Sequence, residues 1–253
     1  MKVVSFSIFK GGTGKTTSTV NTAAALARRG KKVLLVDLDQ QAQATKYLGI
    51  DAEDSPNLFE VFSGLKSPAS AIRHTAFGID VLPSHGLMAA IESALEPGDE
   101  MKLDGYLQSL RPSYDFILID TPPGKSRLTF NGLAAADLIL MPCATQRMAV
   151  DGIGDTISYL QTTMWKKFDL PHQELRILFT MYRATTNESP ALVANARRIW
   201  RDNVLNVQIP HAAIFSTSYN LRKPVHEIDP KHPGSIAYDV FADWMVKHEE
   251  TTN

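Results

Sequence analysis

One cysteine, Cys143, occurs in the 253 residues. An internal disulfide is excluded, and so is an iron–sulfur cluster held by paired cysteines of one chain. This usage fits a reducing compartment, and Cys143 sits in an apolar run where a small core residue is expected. No apolar stretch reaches membrane-spanning length, and the N-terminus reads as a strand rather than a signal peptide. Charge of one sign is lacking too: 26 basic and 27 acidic residues leave a formal net charge of −1. Nucleic-acid binding would therefore need a local patch, because the overall charge offers none. The seven histidines show no metal-ligand spacing. Repeats, low-complexity segments and a clear domain boundary are also missing. With 44% hydrophobic residues the chain is expected to form one cytoplasmic globular domain over residues 1–253.

What is present is organised around Phe9-Lys10-Gly11-Gly12-Thr13-Gly14-Lys15-Thr16-Thr17. An apolar run, Val3 to Ile8, precedes it, and a helical run from Thr16 to about Arg29 follows. Strand, glycine-rich loop, helix is the context a phosphate-binding loop requires. The glycines let backbone N–H groups approach phosphate oxygens, and the helix start adds its unpaired N–H groups and positive dipole end. Lys15 would supply charge to the β- and γ-phosphates, and the Thr16 hydroxyl a ligand for Mg²⁺. The usual first glycine of such loops is Phe9 here, and a second lysine, Lys10, follows it. Two lysines at fixed spacing around three glycines argue against a turn that binds nothing.

Further along, Lys32 to Asp37 reads as a buried strand ending in Asp37-Leu38-Asp39, whose two carboxylates strand periodicity puts on one side. Gly78 to Pro83 reads as a short strand near an edge. Gly86 to Leu95 and Met101 to Leu110 read as helices. Asp115 to Asp120 is the clearest central strand, and its terminal Asp120 is placed to hold Mg²⁺ through its water shell. Asp137 to Pro142, Leu175 to Met181 and Val204 to Pro210 continue the strand series. Met148 to Trp165 is expected to be one long helix, containing Asp151 near its start. Ser189-Pro190 is expected to open another, with Ser189 as its cap. A final helix spans Gly234 to His248. Strands alternating with helices imply an α/β fold with a doubly wound, mainly parallel sheet flanked by helices.

The pattern K-G-G-x-G-K-T-T resembles the deviant Walker-A loop of the ParA/MinD family of ATPases, whose signature is the early lysine. Asp37-Leu38-Asp39 with Gln41 and Thr45 resembles the family's second motif, and Asp120-Thr121-Pro122-Pro123 its D-x-P-P switch. Thr180-Met181-Tyr182 and Ile209-Pro210 match segments that flank adenine in the family. The resemblance implies a P-loop ATPase that uses ATP and Mg²⁺ and forms an ATP-dependent sandwich homodimer. It implies that Lys10 serves the partner's phosphates, that Lys15 and the loop from Gly11 to Thr17 bind those of its own chain, and that Thr16, Asp120 and Asp39 surround the metal. Asp39 would position the attacking water, and Met181 and Pro210 would flank the base. Asp151 is either a partner for Lys10 across such a dimer or a carboxylate at a helix start.

The resemblance also implies a cargo, carried through a ParB-type adaptor or its equivalent, and non-specific binding to the nucleoid. Gln40, Ala42 and Gln43 stand where the family has proline, glycine and asparagine. His211 and Ile214 stand where DNA-binding relatives often carry arginine. Arg222 and Lys223, then Arg197, Arg198 and Arg201, are the basic residues left to compensate; the competing reading of each is a solvated surface charge. No helix-turn-helix precedes the loop strand, which argues against a self-repressing version. A MinD-like membrane regulator is the alternative, but its basic amphipathic tail is not matched by the short, acidic Trp244 to Glu250.

Overall fold

The computed structural model describes residues 1–166 and 173–252. Its sheet has eight strands in the order β3-β4-β2-β5-β1-β6-β7-β8. These are β1 (Lys2–Phe6), β2 (Val33–Asp37), β3 (Arg73–His74), β4 (Ile79–Leu82), β5 (Phe116–Asp120), β6 (Leu138–Ala144), β7 (Glu174–Tyr182) and β8 (Val204–Pro210). Neighbouring strands run parallel, except for the β3–β4 pair. The apolar run of each central strand has a simple cause. Val3, Leu34, Ile117 and Ile119 join the core on one face, while Val4, Leu35 and Leu118 join the core on the other. Both faces are covered, so both sets of alternate positions are mainly apolar, with Ser5 of β1 buried among them.

Helix α1 (Lys15–Ala27) packs on one face together with α10 (Pro233–Thr252). Tyr238, Phe241 and Met245 of α10 are buried there, a Phe or Met stabilising by roughly 1.5–3 kcal/mol. Arg29 ties the two helices by ion pairs to Asp239 at 2.8 Å and Asp243 at 2.6 Å. The apolar side of the last helix is thus used by the core. No helix among the described residues is long and apolar enough to cross a membrane.

Register decides where chemistry collects. β1 lies between β5 and β6, with Phe6 opposite Asp120, and β5 pairs β2 with Asp37 opposite Asp120. The loop after β1 and both strand-terminal aspartates therefore emerge side by side at the carboxyl ends of parallel strands, where such sheets bind ligands.

β4 lies near an edge as expected, with the two-residue antiparallel β3 outside it. Three local expectations need correction. Helix α7 (Arg147–Tyr159) starts earlier than Met148 and its last turns, Leu160–Trp165, are π-helical. Asp151 lies beyond the first turn of α7, so it is not a helix-start carboxylate. Helix α8 (Glu188–Trp200) begins before Ser189, and the Thr186 hydroxyl accepts the Ser189 N–H at 3.3 Å. Ser189 is inside the helix and its hydroxyl is engaged elsewhere.

Candidate nucleotide site

Between β1 and α1 the loop turns on Gly12 and Gly14, at φ 71° and 85°. Both lie in the left-handed region that glycine alone adopts without penalty. Gly14 is also the N-cap of α1, so the turn aims the helix start at the loop's hollow. Among the bonds that fix the loop from outside, Thr180 Oγ1 of β7 donates to the Thr13 carbonyl at 2.7 Å, and Gly124 N–H to the Phe9 carbonyl at 2.9 Å. Neither tether has a local signal in the sequence.

The two lysines differ in every respect. Lys15 is 7% exposed, and its Nζ donates to the carbonyls of Ile8 at 3.3 Å and Lys10 at 3.1 Å, closing the loop on itself. Burial pulls its pKa below the usual lysine value, against the pull of Asp120 and Asp39. Lys10 is exposed on the outside of the loop, and no ion pair engages it among the described residues. Gly152 of α7 faces it; a Cβ there would lie 3.5 Å from the Lys10 Cβ.

Behind the loop stand three carboxylates. Asp120 is fully buried and accepts Thr16 Oγ1 at 2.7 Å and Thr19 Oγ1 at 3.2 Å. Thr19 was not singled out from the sequence, although it lies four positions after Lys15 on the same helix side. Burial, with Asp37 next to it, pushes the Asp120 pKa up to about 8, against Thr16 and Lys15. Asp37 does not share a role with Asp39. The strand ends at Asp37, which turns inward to accept both N–H and Oγ1 of Thr45, at 2.9 and 2.7 Å. Asp39, beyond the strand, lines the cavity and accepts Gln41 N–H at 3.0 Å. Asp37 holds the loop and Asp39 faces the site.

These hydroxyl and carboxylate oxygens fit a hard divalent cation. Among the described residues no group of three or more His, Cys, Asp or Glu side chains would hold a metal alone. The fit is therefore to an ion that brings its own waters and phosphate oxygens, as Mg²⁺ does.

A cavity of about 550 Å³ runs over Gly11 to Thr17 to Asp39, Pro122 and Pro123. A second, of about 510 Å³, is lined by Thr180, Met181, Ile209, Pro210, Phe215 and Tyr219. Gly14, Thr17 and Met181 line both, so the predicted phosphate and base residues form one continuous wall. Glu92, not anticipated from sequence, also lines the first cavity. It belongs to α4 (Met88–Ala94), and its carboxylate accepts the Arg127 and Leu128 N–H groups at 2.7 and 2.8 Å. It thereby ties α4 to the start of α6 (Arg127–Ala134), the helix that follows Pro122-Pro123.

The substituted loop has a physical consequence. Ala42 has φ 50° and is 1% exposed, so an alanine occupies a left-handed turn that costs a non-glycine residue roughly 1–2 kcal/mol. The basic candidates fall in two segments. Arg222 and Lys223 are exposed in the turn after α9 (Ile214–Asn220), with Arg222 at φ 53°. Arg197 and Arg198 lie on α8 and Arg201 just past it, all exposed; Arg197 also donates to the Leu205 carbonyl at 3.4 Å. Cys143 is buried in β6, and burial pushes its thiol up to about 12, so it is an inert core residue.

The AAA domain family model AAA_31 matches residues 1–170. The sporulation initiation inhibitor protein Soj of Bacillus subtilis is 32% identical over 243 residues, 94% of this chain and 95% of that one. The chromosome-partitioning ATPase Soj of Thermus thermophilus is 32% identical over 92% of this chain and 91% of its own. Among solved structures, a Mycobacterium smegmatis protein described as cobyrinic acid a,c-diamide synthase, with bound ADP and magnesium, superposes with a TM-score of 0.84. It is 30% identical and covers 100% of this chain and 97% of its own. With the loop, the D-x-D and D-x-P-P segments and the parallel sheet accounted for, the chain belongs to the Soj/ParA branch of the ParA/MinD P-loop ATPases.

Proposed function

We propose that residues 1–253 form one ParA-like ATPase domain that binds ATP and Mg²⁺, closes into an ATP-dependent sandwich dimer and positions a cargo. The observation that carries the reading is the contrast between a buried Lys15 inside the phosphate loop and an exposed Lys10 outside it. Lys15 exchanges the Ile8 and Lys10 carbonyls for phosphate oxygens of its own chain's nucleotide, and Lys10 is free to reach a second copy. Thr16 and Asp120, with Asp39 at the wall, would hold Mg²⁺, which neutralises charge on the β- and γ-phosphate oxygens. Asp39 orients water toward the terminal phosphate. Its contribution is position.

Replacing Asp39 with alanine is expected to leave ATP binding within a few-fold, lower hydrolysis by about a hundredfold and accumulate the dimer. Phosphate release measured beside light scattering checks this. Wild-type turnover in the variant would move the role to Glu92, the other carboxylate on the cavity wall.

The cargo reaches the ATPase through a ParB-type adaptor or its equivalent, and the ATP-bound dimer uses nucleoid DNA as its track. The name of the chromosome-partitioning Soj relative from Thermus thermophilus supports partition as the setting. A chain of net charge −1 binds DNA weakly alone, and pairing doubles its small basic patch. Binding is expected only with ATP, without sequence preference, and to fall steeply with salt as counterion release requires. Arg222→Glu with Lys223→Glu should abolish it. Equal binding by both proteins would move the patch to Arg197, Arg198 and Arg201. No binding at low salt would sink the track. The membrane reading is disfavoured by α10, whose Tyr238, Phe241, Ala242 and Met245 are taken up by the core.

A further inference from the structure

The end of β7 carries a backbone conformation that hydrolysis as described does not use. Met181 has φ 51°, a left-handed turn rare for a residue with a side chain. Such turns persist only where surrounding structure holds them. Here the holding groups are two buried hydroxyls, Thr145 at 6% exposure and Ser189 at 4%. Thr145 N–H donates to the Thr180 carbonyl at 3.1 Å, and Thr145 Oγ1 donates to the Met181 carbonyl at 3.1 Å. Ser189 Oγ lies 2.9 Å from Thr145 Oγ1. Thr145 has given its one proton to Met181, so Ser189 is the donor in that pair. Ser189 Oγ in turn accepts the Arg183 N–H at 3.4 Å. The hydrogen bonds thus run one way, from Ser189 of α8 through Thr145, just past the end of β6, to the Met181 carbonyl.

Placement gives this chain a purpose. Met181 stands where the two cavities join and lines both. The phosphate side is fastened separately, by Thr180 on Thr13. We propose that Thr145 and Ser189 are positioning residues that hold Met181 in its left-handed turn and so set the base end of the nucleotide site, leaving the phosphate end unaffected. The inference rests on reading the joined cavities as one ATP site.

The test compares ATP with inorganic tripolyphosphate, which has the phosphates and no base, each titrated with Mg²⁺ into wild type, Thr145→Val, Thr145→Ser and Ser189→Ala. Loss of one buried hydrogen bond should weaken ATP binding about tenfold in Thr145→Val. Tripolyphosphate should bind all four proteins within about twofold, since it lacks the group the turn serves. Steady-state rates should show the same split, a raised KM for ATP with kcat unchanged, and Thr145→Ser should restore both. Equal weakening of both ligands would overturn the inference, because that is what general loosening of the fold produces. Unchanged ATP binding in Thr145→Val and Ser189→Ala would overturn it as well. Should Thr145→Val not fold, Ser189→Ala deletes only one oxygen and carries the same comparison. Wild-type protein that binds tripolyphosphate but not ATP would instead sink the ATP reading itself.

Discussion

Lys15→Ala is expected to abolish measurable ATP binding, whereas Lys10→Ala binds ATP within about threefold of wild type and neither dimerises nor hydrolyses. The difference follows from where the two charges sit. Lys15 is buried and already directed into the loop, bonded to carbonyls that a phosphate replaces. Removing it takes away the desolvated charge that offsets the phosphates, a loss of at least about a hundredfold in affinity. Lys10 is exposed and contributes nothing to its own loop but its backbone carbonyl, which alanine keeps. Titration calorimetry gives the binding arm and light scattering with ATP the assembly arm. If Lys10→Ala dimerises and turns over normally, the second lysine is not the signature residue and the sandwich reading falls.

The second large effect concerns Asp120. Asp120→Asn should raise the stability of the nucleotide-free protein by on the order of 2 kcal/mol, while reducing Mg²⁺-dependent hydrolysis at least about a hundredfold. Asp120 is fully buried beside Asp37 and its pKa is pushed up to about 8. A carboxyl whose folded pKa exceeds its unfolded value of about 3.9 takes up a proton on folding. Its contribution to stability therefore declines as pH rises from the unfolded value to about 8, and is constant above that. Melting temperatures of nucleotide-free wild type and Asp120→Asn between pH 6 and 8.5 should diverge, with wild type falling further behind as pH rises. With Mg²⁺ and ATP present the order should reverse, because only wild type gains the linked binding energy. An asparagine variant less stable than wild type at every pH would show that Asp120 is paid for by Lys15 and its two threonine donors before any cation arrives.

How far the sequence carried these conclusions depends on the length over which each signal acts. The β5 strand was legible because burial on both faces leaves no polar position in Phe116–Ile119. The phosphate loop was legible because glycines and lysines at fixed spacing have few other uses. Two-residue β3 has no signal of its own; it exists because β4 offers an edge. Ser189-Pro190 looked like a helix start, and that pattern lost to a tertiary one, the pull of Thr145 on the Ser189 hydroxyl. Asp37 and Asp39 looked alike because strand alternation was carried past the point where the strand ends. Thr145, Thr180 and Glu92 act across gaps of more than thirty residues, and a single sequence has no local mark for such partners. The family's glycine at Ala42 is the converse case: the left-handed φ of 50° shows what that glycine is for, and that alanine tolerates it.

The central place of β1 also bears on how the chain comes off the ribosome. Residues 2–6 are made before every other strand of the sheet, and both neighbours, β5 and β6, lie about a hundred or more residues downstream. At roughly 5–20 residues per second, that leaves the strand without a partner for several seconds or more. Meanwhile β2 and β4 can already pair. The apolar N-terminal strand, Val3-Val4-Ser5-Phe6, thus spends its first moments as an open edge that another nascent chain can occupy. Slow codons before residue 116 would lengthen that exposure and lower the soluble yield, while leaving the finished protein unchanged.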